Sequence, residues 1–296
     1  MADGYADSET AEEGTGGGLL MRDTLVRRAG ELLAAGFLLL VGGMVTWIVS
    51  TQVDFGLLEA VFPRFVEAFF LVVQIVVVAS LLSVTLGVLV GLGRISTSPL
   101  TSRIAKGYVE FFRGTPLLFQ LFVIFFGIPR LWPTGAFPFE NWAVPAAIIG
   151  LTLNHGAYVG EAIRGGIAAV ADGQMEAARS LGMSRVMALR EVVLPQAWRN
   201  ALAAIGNDQI ILVKDTSLLT VIAVPEIMSV FRNINSNQLD PWTPLVWVCL
   251  FYLAITMSMS QLVNALESRA DWSGDGGRLG RASAAVRERL SRGETR

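Results

Sequence analysis

The chain has 296 residues, of which 53% are hydrophobic and 16% charged, against about 25% charged in an ordinary soluble domain. That balance excludes a typical soluble enzyme and points to a chain that lives in a bilayer. The formal charge of −2 is a sum over an acidic head and a basic tail, so net charge says little about partners and its distribution more; no nucleic-acid partner is expected, and a single cysteine, Cys249, excludes an intrachain disulfide and a cysteine-built metal site.

Residues 1–18 carry Asp3, Asp7, Glu9, Glu12 and Glu13, no base, and the Gly-rich run EEGTGGG. Low hydrophobicity and like charge predict a disordered acidic tail over residues 1–30. It is not a secretory signal, because those begin basic. Apolar runs follow near residues 32–50, 65–92, 108–128, 142–163, 200–222 and 244–266. Each approaches the roughly 20 residues that a helix needs to cross hydrocarbon, where a bare backbone cannot be satisfied. The fifth run is the most polar, with Asn207, Asp208, Gln209, Lys214, Asp215, Thr216 and Ser217. The expectation is an all-α integral membrane protein with about six transmembrane helices, no metal site, and a basic tail over residues 270–296 that lies on the anionic inner leaflet.

Arginine and lysine set the orientation. Arg22, Arg27 and Arg28 precede the first run, Arg94, Arg103 and Lys106 separate the second from the third, and Arg164, Arg179, Arg185, Arg190 and Arg199 separate the fourth from the fifth. The opposite connections carry only Arg64, Arg130 and Arg232. Both termini are therefore expected on the cytoplasmic side. Trp132, Trp142 and Trp242 fall near the outer interface, as an aromatic belt does.

Between the fourth and fifth runs lies EAARSLGMSRVMALREVVLP, Glu176 to Pro195. Asp172 is placed to cap a helix starting at Gly173, with Glu176 in its first turn. Gly182 is placed to end that helix in the left-handed conformation, and Ser184 to cap a second. Val186, Leu189 and Val193 recur at i, i+3 and i+7 and make one apolar stripe. Pro195 cannot donate to a helix and marks the junction with the next run. The spacing alone leaves two readings open, a loop lying on lipid headgroups and a docking helix for a soluble partner.

This stretch resembles the cytoplasmic loop of the membrane subunits of ATP-binding-cassette importers, whose pattern is EAA, three residues, Gly, nine residues, then Ile-x-Leu-Pro. Glu176, Ala177, Ala178, Gly182, Leu194 and Pro195 match without a gap, and Val192 stands for Ile. YVEFFRGTPLLFQLF (108–122), LNHGAYVGEAIRGGI (153–167) and the stretch 194–227 resemble the polar amino acid branch of that family, a likeness running from about Phe65 to Arg269. His155 sits where that family more usually has small residues.

The resemblance implies a five-helix type I importer permease core over residues 61–269, preceded by an extra N-terminal helix and outer loop at 31–60. The loop at 172–195 would be a coupling helix that fits a cleft on a separate ATP-hydrolysing subunit. It further implies two copies of that subunit, a second permease chain, an external solute-binding protein, and import of a polar amino acid by alternating access. Cargo could equally be a compatible solute or other small zwitterion. A secondary transporter and a membrane scaffold are the remaining rivals; no internal repeat supports the former.

The chain itself lacks a phosphate-binding loop. Its two lysines follow Ala105 and Val213, not the glycine that such a loop requires. No cofactor is therefore expected in this chain; ATP and magnesium would belong to the partner, and the chain is expected not to be an enzyme.

Ionisable residues inside a span are costly and mark candidate functional positions. Asn154, Tyr158 and Glu161 recur at i, i+4 and i+7 and share a face that could line a route for a zwitterion. Glu161 could instead pair with Arg164 at i+3. Arg113, beside Gly114-Thr115-Pro116, is a gate residue by resemblance and a snorkelling arginine by physics. Lys214, Asp215 and Ser217 read either as pathway or as polar contacts across a subunit interface, with Gly206 as a place where the helix could break. The lone His155 reads as a packed or hydrogen-bonded residue rather than a ligand.

Overall fold

The computed structural model describes residues 13–275, with side chains from Val26 to Arg269. The described residues are all-α, with no strand among them. The acidic head at residues 1–12 and the arginines from Arg278 to Arg296 lie outside the described residues. The chain divides into two units at Leu58/Glu59.

The first unit holds α1 (Glu13–Gln52) and the first residues of α2 (Phe55–Arg94). Helix is already present at Glu13, so the disorder expected for 1–30 is corrected over residues 13–30. The Leu-, Arg- and Ala-containing stretch from Leu19 onward propagates a helix well enough to carry the glycines ahead of it. Along α1, Leu32, Phe37 and Leu39 are exposed, as befits side chains whose solvent is lipid. Asp54 starts α2 by accepting from the Gly56 and Leu57 amides at 2.8 and 3.1 Å, an N-cap satisfied by its own carboxylate.

The second unit continues α2 and adds α3 (Pro99–Gly114), α4 (Leu117–Phe122), α5 (Ala143–Ala168), α6 (Asp172–Ser180), α7 (Arg185–Ala188), α8 (Leu194–Asp215), α9 (Ile227–Gln238) and α10 (Trp242–Asp275). By length and apolarity, three described stretches suffice to cross a membrane: Val26–Gln52, Phe55–Arg94 and Trp242–Arg269. A fourth is the pair Pro99–Gly114 and Leu117–Leu131, bent by 103°. The continuous span expected at 108–128 is thus a broken one. Thr115 and Pro116 are both extended, and the proline withholds the amide that would join the two helices. The polar residues of α5 and α8 keep those two helices below the same apolarity threshold.

α5 is the central helix, packed against α3, α4 and α8, and α8 packs in turn against α10. Its contact with α2 is close because glycines face glycines. A Cβ at Gly87 would fall 2.3 Å from Val159 Cγ1, and one at Gly160 would fall 2.7 Å from Val90 Cγ1. Spacings of four on both helices (Gly87 and Gly91, Gly156 and Gly160) let the backbones approach, as small residues do between membrane helices. Gly206, expected as a break in α8, lies inside a continuous helix. A Cβ there would fall 2.2 Å from Val263 Cγ1, so its role is close packing against α10.

Candidate functional site

Two regions of the second unit gather the residues singled out above. The first is the elbow formed by α6 and α7. Ala171, which has no capping group, occupies the position expected for Asp172, and Asp172 sits in the first turn instead. There its charge still complements the helix dipole. The C-terminus forms as expected. Gly182 has φ +84°, its amide bonds the Arg179 carbonyl at 3.0 Å, and the Met183 amide reaches the Ala178 carbonyl at 3.2 Å. That pair is a Schellman closure, which needs a residue free of Cβ strain at its left-handed position. Ser184 then caps α7 by accepting from the Met187 amide at 3.2 Å.

A π-turn (Leu189–Val193) carries α7 into α8, with Pro195 in the first turn of α8. The wider turn shifts the helical register, so the stripe expected through Val186, Leu189 and Val193 is graded rather than uniform. Val193 is buried, Leu189 half-buried and Val186 75% exposed. Ala178 is buried, whereas Glu176 and Ala177 are exposed. Leu181, Val186 and Met187 are exposed as well, as are the charged Glu176, Arg179 and Arg185 of the same segment. The elbow is tied to α8, and α8 to α5. Gln196 bonds Gln174 at 3.3 Å and the Val192 carbonyl at 2.9 Å, and Asn200 donates to the Gly166 carbonyl at 3.3 Å.

The second region is a cavity of about 400 Å³ between the α3–α4 break, α5 and α8. Arg113, Asn154, Tyr158 and Asp215, four of the seven residues singled out for a passage, line it together with His155 and Asp208. Asn154 donates to Gln120 Oε1 at 3.0 Å and to the Phe112 carbonyl at 3.2 Å. Gln120 donates to the Phe112 and Thr115 carbonyls at 2.9 and 3.1 Å. The amide of Gln120 thus satisfies backbone groups that the break frees, the condition under which irregular backbone survives at membrane depth. Arg113 lies over the Tyr158 ring at 5.2 Å, a cation–π contact.

The other three residues lie elsewhere. Glu161 is not in the cavity wall. It accepts from Arg164 at 2.7 and 3.0 Å, and lies 3.6 Å from Arg94 and 3.9 Å from Arg113. Three arginines from the ends of α2, α3 and α5 thus converge on one carboxylate. Lys214 is exposed on α8, and Ser217 bonds the Lys214 carbonyl at 2.8 Å. Of the missed residues, Asp208 was visible only as one polar residue in a polar run. Gln120 gave no signal, since its partners are 34 residues away or at a break.

Outside the predicted spans, Glu226 is fully buried and caps α9, accepting from the Met228 and Ser229 amides at 2.7 Å each. Burial pushes its carboxyl up from 4.5 to about 7, against the opposing hydrogen bonds.

Residues 83–272 match the family described as the binding-protein-dependent transport system inner membrane component. The chain is similar to the probable amino-acid permease protein YxeN of Bacillus subtilis (strain 168), 34% identical over 73% of this chain and 95% of that protein. It is similar to the nopaline transport system permease protein NocM of Agrobacterium fabrum, 35% identical over 72% of this chain and 90% of that protein. Among solved structures, it resembles that of an amino acid ABC transporter with histidines. There the TM-score is 0.66 and the identity 33%, over 74% of this chain and 100% of that one.

Proposed function

The chain belongs to the family of binding-protein-dependent transport system inner membrane components, and on that premise we propose how it works and what it carries. It is a multi-pass membrane permease subunit of an importer. The cargo is a polar amino acid, a reading supported by the names of similar permeases and by a cavity with both charge signs in its wall. The passage runs through that cavity. Both termini are cytoplasmic, the helix α1 is an N-terminal addition to the permease core, and the basic tail is a ligand for the anionic inner leaflet.

The observation that carries the coupling reading is the elbow. It is a capped helix–glycine–helix that exposes Leu181, Val186 and Met187 while Gln174 bonds Gln196 at the base of α8. Exposed apolar side chains in a charged segment fit a protein partner. The partner is a separate ATP-hydrolysing subunit, two per transporter, which brings ATP and magnesium; Glu176, Ala177, Ala178, Gly182, Leu194 and Pro195 build the docking element. A second permease chain completes the pathway, and an extracytoplasmic solute-binding protein delivers the cargo.

The mechanism follows from the connections. α5 carries Asn154, His155 and Tyr158 in its middle, α8 carries Asp208 and Asp215 in its second half and at its end, and the elbow joins the opposite end of α8 to the end of α5. Movement imposed on the elbow therefore reaches Asn154, His155, Asp208 and Asp215 through two helices held together by packing and by the Asn200–Gly166 bond. That coupling turns partner closure into alternating access. The test is affinity purification of the tagged chain from its native membrane. A stoichiometric ATP-binding protein should co-purify, and Gly182→Trp should lose it. A chain that purifies alone overturns the coupling reading.

A further inference from the structure

His155 is the only histidine in the chain, 1% exposed, on α5. Its Nδ1 lies 3.0 Å from Asp208 Oδ1 and its Nε2 lies 3.4 Å from Asp215 Oδ2. The two contacts are not equivalent. The first is a hydrogen bond. The second is close enough for an ion pair but lacks hydrogen-bond direction, so Nε2 is buried and without a hydrogen-bond partner.

A neutral imidazole has one N–H. The Asp208 carboxylate accepts, so that proton belongs on Nδ1, and Nε2 then turns a lone pair toward the Asp215 carboxylate. Two acceptors then face each other, with Nε2 buried and Asp215 at the cavity edge, which is costly for Nε2 unless positive charge sits between or beside them. A second proton on His155 supplies that charge. So does a cation from outside, because Asp215 is 31% exposed and lines the cavity. Among the described residues, His155 is the one charged partner of Asp215, while Asp208 also accepts from Gln209 at 3.2 Å. The other titratable groups facing His155 are Tyr158, whose ring centroid is 6.4 Å away, and Arg113, across the same cavity wall. Arg113 is drawn toward Tyr158 and Glu161.

We propose that His155, Asp208 and Asp215 form a cation-selecting subsite, in which the protonated imidazole holds the place of a cationic side-chain group on the cargo. This rests on the reading of the cavity as the passage. The ammonium or guanidinium of the cargo meets Asp215, Nε2 releases its proton to cavity water, and Nδ1–H stays on Asp208. Two carboxylates face one positive charge before and after, so one proton leaves per cation bound. Arg113 is the counter-charge for the cargo's own carboxylate. An uncharged side chain has no claim on the subsite, and an acidic one adds a third carboxylate to it.

The test is isothermal titration of the full chain in lipid nanodiscs with L-arginine, L-glutamine and L-glutamate. It uses buffers of differing ionisation enthalpy, from about pH 6 to about pH 9, which brackets the usual histidine range. Arginine should bind at least about tenfold more tightly than glutamine, with about one proton released while His155 is protonated. In that regime its affinity should rise about tenfold per pH unit. Asp215→Asn should bring arginine down to the glutamine level and end proton release. His155→Gln should keep arginine binding but lose its pH dependence, a readout that a merely structural histidine would not move. Proton release by the unaltered chain needs no variant to fold. Equal binding of arginine and glutamine, or arginine binding without proton release, overturns the subsite and leaves the passage standing. If no amino acid binds, passage and subsite fall together.

Discussion

The elbow and the cavity are built by opposite logics. Every hydrogen bond that shapes the elbow's caps closes within five residues of chain, and its working surface faces outward. The cavity is assembled from partners 34, 42 and 53 residues apart, and its polar groups are mostly hidden. A locally determined element can change its surface without disturbing the fold. A tertiary polar network cannot, because each member satisfies another. Elbow substitutions should therefore impair coupling while sparing stability, and cavity substitutions should cost stability first.

The sharpest way to break that contrast is Asp208→Ala. It strands His155 in a buried site, where loss of one partner of a buried charge pair costs about 3–5 kcal/mol. Chemical denaturation in detergent should show that loss, with Asp208→Asn milder. A loss near zero would mean that the cavity is not a coupled network.

Next is pH. Glu226 has a folded pKa raised from 4.5 to about 7, so the folded state holds its proton more tightly than the unfolded state. Its stabilising contribution is fully present below about pH 4.5 and is lost as pH rises toward about 7, a change on the order of 2–3 kcal/mol. Glu226→Gln should flatten that slope in a pH series of unfolding midpoints.

Gln120→Ala should follow. It removes one of the two acceptors of the Asn154 amide and the Gln120 donor to the Thr115 carbonyl at the α3–α4 break, at a cost of about 1–3 kcal/mol, read from the same denaturation curves. In the elbow, Ser184→Ala should cost about 1 kcal/mol, and Gly182→Ala a similar amount through its positive φ alone, since open space surrounds it. Smallest of all in stability is Glu176→Lys, within about 0.5 kcal/mol, yet it should release the co-purifying ATPase. A variant here that destabilised as much as Asp208→Ala would erase the distinction between the two regions.

Legibility in the sequence divides along the same line. The Gly182 turn, the Ser184 cap and the position of Pro195 were readable because glycine, serine and proline act on their immediate neighbours. Arg113, Asn154, Tyr158 and Asp215 could be singled out because polar groups in apolar runs demand partners. Who those partners are depends on how α3, α5 and α8 approach, which spacing does not encode. Hence Gln120 passed unnoticed, and His155 read as a packed, hydrogen-bonded residue. It is hydrogen-bonded, but it also stands in the cavity wall. Asn154, Tyr158 and Glu161 share a helical spacing yet serve two places, since Glu161 sits one turn nearer the arginines at the helix ends. Gly206 read as a break because glycine is a poor helix former; contact with Val263 outweighs that preference.

Whether the elbow couples a partner's ATP hydrolysis to movement at the cavity is tested most directly by uptake. The chain, reconstituted in proteoliposomes with its co-purified partner and loaded binding protein, is given labelled amino acid with and without ATP. Uptake should require ATP, and Glu176→Lys should abolish it while the chain stays folded. Uptake by the chain alone, without nucleotide and driven by an ion gradient, would contradict that coupling.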